Sequence, residues 1–445
     1  ELVESNPDFF SKFSCVVATD LPEATVQKLG VICWNKKIPL CVGRAYGMIG
    51  YWRNVLPEVC IAESRPEYSK ENYRLYTPFP RLQEFVNQYD LATCRHPYLP
   101  LTEAKDAEGV WREQSGRETV PKAHSHIPAF VLLVKALEQW RSSHGGNSPQ
   151  NSSEKDQFRD MLDDLQISKT GDEDNFNEAK SLARHAYSPF EISSEVKALF
   201  ADDKAQSASS CDEPFWVVVR ALQMFVNNEG SGCLPLSGNL PDMHSDTKSY
   251  VELQNIYREQ AQTEMECVAK YVQQILQSMG KAADSVPHDM IQLICKNAAN
   301  IRLVRTRSLE QEYTKPCSEE WSWTLDMPEE FPHYMYVLLR AADRYRTLNG
   351  AYPGEANPLD ESELGRYKEV LSTVCHEMNI QAASIGEDMV QEIVRYGSSE
   401  LHSMAAIMGG IGAQEVTKIV MRQFVPCNGT FIFNGITGKN GLCHF

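Results

Sequence analysis

The chain has 445 residues, enough for two or three domains, and a formal net charge of -17. That acidity argues against a protein that tracks nucleic-acid phosphates, which would be basic. Thirteen cysteines, an odd count with no C-x-x-C pair, build neither a disulfide framework nor a zinc site and fit the reduced thiols of cytoplasm or nucleus.

No run reaches the roughly 18 apolar residues of a membrane span, and no secretory signal opens the chain. Ser14 to Thr19 reads as a buried strand, Ala24 to Trp34 as a helix and Ile38 to Gly43 as a second strand. Together they form a parallel crossover unit. Two parallel strands leave their faces uncovered, so further strands are expected from upstream or from a partner. With Glu1 in place of a methionine, the expectation is a chain that begins partway through its domain. Gly43, Gly47 and Gly50 follow. They suit a plain turn better than a ligand loop at the carboxyl end of the sheet. Neither a G-x-G-x-x-G after a strand nor a phosphate-loop motif is found; Gly230 and Gly232 run into Pro235, which spoils the pattern. Nothing visible in this sequence cradles a nucleotide.

A long helical region follows. Thr102 to Ala123 is highly charged and is expected to be disordered, while Ser142–Asp156, Lys169–Asn177 and Ala201–Asp212 are expected as exposed loops. His124 and His126, two apart, are not a convincing metal pair on a helix. An internal pattern recurs: Ala136 and Leu137 with Trp140 and Gly145; Ala221 and Leu222 with Phe225 and Gly230; Ala341 and Ala342 with Tyr345 and Gly350. Each follows an apolar run behind a proline (Pro128, Pro214, Pro332), which predicts three buried helices started by proline and ended by glycine within one helical assembly. Asp246 is an N-cap candidate for an amphipathic helix with Tyr250, Leu253 and Tyr257 on one face. Ile301 to Arg307 reads as the basic face of a solvated helix. Cys15, Cys33, Cys41 and Cys295 sit in apolar stretches and Cys94, Cys211, Cys233 and Cys317 in polar ones, none with the surroundings of an activated thiol.

Arg395 to Phe424 reads as one helix whose buried stripe would be Ala405, Gly409, Gly412 or Ala413, Val416, Ile419 and Val420. Gly409, Gly410 and Gly412 cost a helix about 1 kcal/mol each, which implies that another backbone comes very close. Gln423 to Val425 is then expected as a strand, Asn428-Gly429 as a hairpin turn and Thr430 to Phe433 as the returning strand.

The small-residue helix with Ala413, Gln414, Glu415, Val416 and Lys418, followed by Phe431 to Gly435, resembles the close of the adenylation domain in ubiquitin-like-protein activating enzymes. Over most of its length the chain is similar to the regulatory, non-thioester-forming subunits of the heterodimeric activating enzyme of the neddylation pathway, the match weakening near 101–123. The resemblance implies an α/β fold with an incomplete doubly wound, mostly parallel sheet of the adenylation type and a large, mainly helical insertion. The implied divisions are 1–60, 61–330 and 331–445. It also implies a partner interface at His126 and at Asp242, Met243, His244, Ser245, Asp246, Thr247, Lys248, Ser249, Tyr250, Val251, Glu252, Leu253, Gln254 and Asn255. The expected partner is the catalytic subunit, which would bind ATP and Mg and carry the thioester cysteine; the modifier is reached through the complex. This chain would hold no catalytic residue and no cofactor, and bind neither nucleic acid nor membrane. The alternatives are the corresponding subunit for SUMO, disfavoured by the large helical insertion, and a helical scaffold without enzymatic partner.

Overall fold

The computed structural model describes residues 2–66, 71–168, 173–207, 213–315, 324–325, 327, 330–358, 360–381 and 385–444. In chain order its main elements are β1 (Val16–Thr19), α1 (Glu23–Asn35), β2 (Leu40–Tyr46), β3 (Ile49–Val55), β4 (Val59–Ile61), α2 (Pro80–Val86), β5 (Ala104–Lys105), β6 (Trp111–Arg112), α3 (Ala129–Ser143), α4 (Ser152–Asp164), α5 (Asp174–Tyr187), α6 (Pro214–Asn227), α7 (Thr247–Ser278), α8 (His288–Lys296), β7 (Arg302–Val304), α9 (Leu309–Thr314), α10 (His333–Asn349), α11 (Glu361–Glu377), α12 (Glu387–Tyr396), α13 (His402–Met421), β8 (Thr430–Asn434) and β9 (Lys439–Cys443). They form two compact units, one of residues Glu1–Pro66 with Arg302–Phe445 and one of Glu67–Ile301.

The first unit is built on a five-stranded sheet of order β1-β2-β3-β8-β9. The β1-α1-β2 crossover is parallel, Val16 opposite Leu40 and Thr19 opposite Gly43. The other three pairings are antiparallel, so the sheet is mixed rather than mostly parallel, and this chain itself covers the inner edge of the crossover. Every residue of β2 is buried, as expected of a strand covered on both faces. The period of two divides it: Leu40 and Val42 pack with Val26, Leu29 and Cys33 of α1, while Cys41 packs with Trp52, Met408 and Ile419 under α13. Gly43 and Gly50 lie inside strands, and only Gly47, at φ +56°, makes the two-residue turn between β2 and β3. The basic stretch 301–307 is no helix face. Its Arg302–Val304 is β7, antiparallel to β4.

The second unit is helical. Its core joins Phe85 of α2, Phe130, Leu133 and Trp140 of α3, Phe158 of α4, Phe176 of α5, and Leu253 and Tyr257 of α7. The repeated helices are α3, α6 and α10, and their alanines and aromatics are buried as the pattern requires. They do not share one assembly, since α10 belongs to the first unit. Gly350 ends α10 in the left-handed conformation, φ +83°. The charged stretch 102–123 holds a small hairpin, β5 against β6, where Lys105 lies 5.0 Å from the Trp111 ring centroid. The end of the expected loop Ser142–Asp156 is instead the start of α4, which runs over Ser152–Asp164 and is capped by Asn151. The expected loops at 169–177 and 201–212, and Cys211 and Cys317, lie partly or wholly outside the described residues.

Candidate functional site

Two surfaces carry the residues singled out in the sequence, one in each unit. The first is α13. It spans His402–Met421; the 395–401 segment is separate, because α12 ends at Tyr396 with Gly397 in the left-handed conformation. The buried stripe is Met404, Met408, Gly412, Glu415 and Ile419; of the expected stripe Gly412 and Ile419 are buried, Val416 is half-buried, and Ala405, Gly409, Ala413 and Val420 are exposed. Only Gly412 of the three glycines meets its own chain. A Cβ there would lie 2.2 Å from the Trp52 ring, whereas nothing stands within 4 Å of one at Gly409 or Gly410.

Glu415 fastens this helix. Its carboxylate accepts from Asn54 Nδ2 at 2.7 Å, the Cys427 backbone N–H at 2.7 Å and Lys418 Nζ at 2.6 Å. Asn54 Oδ1 in turn accepts from Trp52 Nε1 at 2.9 Å and from the Cys41 thiol at 3.4 Å. A buried carboxylate is tolerable only with such a full set of donors. Glu415 and Lys418 of the sequence motif are therefore structural, and what α13 turns outward is Ala405, Ala406, Ile407, Gly409, Gly410, Ala413 and Val420. Ile407 is 40% exposed and Val420 51%. Beyond it, Gln423 only bridges Glu63; the hairpin is β8-β9, not a turn at Asn428-Gly429.

The second surface is the start of α7. Asp246 is its N-cap, accepting from the backbone N–H groups of Lys248 at 3.0 Å and Ser249 at 3.1 Å. Met243, Ser249 and Leu253 are buried inside the unit, Ser249 accepting the Tyr89 hydroxyl proton at 2.8 Å. Ser245, Asp246, Tyr250, Glu252 and Gln254 are half-buried, while Asp242, His244, Thr247, Lys248, Val251 and Asn255 are exposed. Tyr257 is fully buried, so the apolar face seen in the sequence is the core face.

His126 joins this segment, its ring centroid 5.3 Å from that of His244. Burial, and then the His244 ring, hold the His126 imidazole below its ordinary pKa. His96, which sequence reasoning did not single out, lies beneath: its Nδ1 accepts from the backbone N–H groups of Tyr98 and Leu99, both at 3.1 Å, and its Nε2 is 3.2 Å from Asp246 Oδ2. Burial depresses its pKa too, against the pull of Asp246. His124 is tied at 2.6 Å to buried Glu173. No group of three or more metal-ligating side chains occurs among the described residues.

Burial acts on several of the described thiols. Burial pushes Cys33, Cys94, Cys375 and Cys427 up to about 11 and Cys295 up to about 12. Cys94, read as a loop residue, is buried. Cys15 moves the other way through its hydrogen bond with Cys41, the two sulfurs 3.9 Å apart. Among the described residues no helix is long and apolar enough to cross a membrane.

No protein-family model matches the chain. Single proteins do. It is 36% identical over 442 residues to the NEDD8-activating enzyme E1 regulatory subunit of Xenopus laevis, covering 98% of this chain and 78% of that protein. The regulatory subunit of Danio rerio is 35% identical over 443 residues, 98% and 78% of the two chains. One from Arabidopsis thaliana is 37% identical over 443 residues, 99% and 77%.

Proposed function

The chain belongs to the NEDD8-activating enzyme E1 regulatory subunits, and from that membership we propose that it works by docking a catalytic subunit through the outer face of α13 and the exposed start of α7. The relatives bear the NEDD8 name, not that of SUMO. The catalytic subunit binds ATP and Mg, adenylates the modifier's C-terminus and takes it as a thioester; this chain supplies neither cofactor site nor catalytic residue.

The observation that carries the reading is the pair Gly409 and Gly410. Both sit mid-helix with nothing of their own chain near them, at a helix cost of about 1 kcal/mol each. A cost with no return inside the chain is offset when a partner backbone packs on the bare helix surface. Ala405, Ala406 and Ala413 extend that surface, and Ile407 and Val420 supply apolar area. Beside the start of α7, His126, His244, Lys248, Val251 and Asn255 offer the second docking surface.

Co-expression with the catalytic subunit tests this reading. The expected result is a stable 1:1 complex with an obligate-sized interface of roughly 2,000 Å² or more, and modifier thioester formed only when both chains are present. A chain that stays monomeric and adds nothing to ATP-dependent activation contradicts it and leaves the scaffold reading.

A further inference from the structure

Two thiols meet at the edge of the sheet in the first unit. Cys15 directly precedes β1 and Cys41 lies in β2, and their sulfurs are 3.9 Å apart. The register brings them together. Val17 is opposite Cys41 across the parallel strands, and the strand period of two sets Cys15 on the same face as Val17. Both thiols pack in the cluster of Trp52, Met408 and Ile419 under α13.

Their surroundings differ. Cys41 is fully buried, with its sulfur held 3.4 Å from Asn54 Oδ1. Cys15 is half-buried, and its neighbours are open: Ser14 is exposed and Val17 is 48% exposed. Small solutes therefore reach the pair from the β1 side. The hydrogen bond with Cys41 lowers the pKa of Cys15, while that same contact and burial raise the pKa of Cys41. Cys15 is thus the thiol that ionises first and faces solvent, and thiolate character with access decides which cysteine is oxidised. The sulfurs must close from 3.9 Å to about 2.05 Å to bond; the half-buried Cys15 side chain, outside β1, is the one with room to turn.

We propose that Cys15 and Cys41 are a peroxide-sensitive modification site that closes to an intramolecular disulfide. The Cys15 thiolate attacks one oxygen of hydrogen peroxide, the O–O bond breaks, and the departing hydroxide takes up the proton that Cys15 released. The Cys41 sulfur then attacks the resulting sulfenic acid at Cys15. The S–S bond forms, the S–O bond breaks, and the second hydroxide leaves as water with the Cys41 proton. Two thiols are oxidised by two electrons in all, and one peroxide is reduced to two waters. Cys15 is the reacting thiol and Cys41 the resolving one; a dithiol reductant reverses the bond by exchange.

The test treats the reduced full chain with hydrogen peroxide, blocks the remaining thiols and maps its peptides by mass spectrometry without reduction. The expected product is a Cys15–Cys41 linked peptide pair, two hydrogens lighter than the separate peptides and at least tenfold more abundant than in untreated protein. Dithiothreitol should remove it, and Cys15→Ser should abolish it. In Cys41→Ala the sulfenic acid has no resolving thiol, so dimedone should label Cys15 at least tenfold more than in the parent. The linked pair is read in the parent chain itself, so a variant that folds poorly does not decide the outcome. Three results overturn the proposal: Cys15 and Cys41 unlinked at a peroxide dose that oxidises glutathione under the same conditions, a link that forms only in urea, or Cys15 carried to the sulfinic acid without linking.

Discussion

Glu415 shows how single side chains hold the first unit together. Its carboxylate joins α13 to β3 through Asn54 and to the chain before β8 through the Cys427 N–H. Replacing it by alanine leaves these donors unpaired in a buried place, and charged hydrogen bonds of this kind contribute about 1.5–3 kcal/mol each. Glu415→Ala should lower the urea-unfolding free energy of the first unit by about 3 kcal/mol; a loss below about 0.5 kcal/mol, the level of an ordinary surface change, contradicts the anchoring role. In the second unit His96 and His126 titrate below 6.5 when folded, because burial disfavours their charged forms. The unfolded chain therefore binds more protons below that value, and the stability these groups contribute is complete above about pH 6.5 and lost as the pH falls. Protonating His96 would also expel the two backbone N–H groups on its Nδ1. The melting temperature should fall between about pH 7 and pH 5.5, and less so in His96→Gln, although that variant starts lower; parallel curves for the two proteins contradict this account.

Elements whose signals are local could be read in the sequence. The β1-α1-β2 crossover shows in its run of apolar strand, helix and strand, and Asp246 caps α7 as its position before an amphipathic helix suggests. Which face of α13 is buried could not be read. The three glycines are alike in sequence, and only the Trp52 ring, brought in by β3, separates Gly412 from Gly409 and Gly410. The C-terminal turn depends on distant contacts in the same way. Gly429, at φ +131°, sits where a Cβ would meet the Cys443 carbonyl at 2.2 Å. The turn itself is made by Asn434, whose side chain accepts from the Ile436 N–H at 2.9 Å and the Thr437 N–H at 3.3 Å. These contacts give opposite signs to similar substitutions. Gly412→Ala should destabilise the first unit by about 1–3 kcal/mol through crowding of Trp52, and Gly410→Ala should stabilise it by up to about 1 kcal/mol, both measured by chemical denaturation. Equal effects would show that Trp52 does not distinguish them. On α7, Leu253→Ala should cost about 2–5 kcal/mol as a core truncation, and Val251→Asp, 46% exposed as valine, should leave the fold intact and weaken assembly. A Leu253→Ala protein as stable as the parent would place that side chain outside the core.

The whole chain folds as two compact units, one on a mixed five-stranded sheet and one helical. β8 and β9 of the C-terminal region extend the sheet, and α13 packs on β2 and β3 and turns a small-residue surface outward. The central claim is that this surface is where the catalytic subunit packs. Gly409→Leu isolates it, because a side chain there meets nothing of its own chain. The direct measurement is the dissociation constant of the catalytic subunit for parent and Gly409→Leu chains, together with the melting temperature of each chain alone. The account predicts affinity reduced by about tenfold to a hundredfold, as crowding of about 1–3 kcal/mol at a packed interface requires, with the melting temperature of the free chain not lowered. Unchanged affinity at an unchanged melting temperature would contradict it.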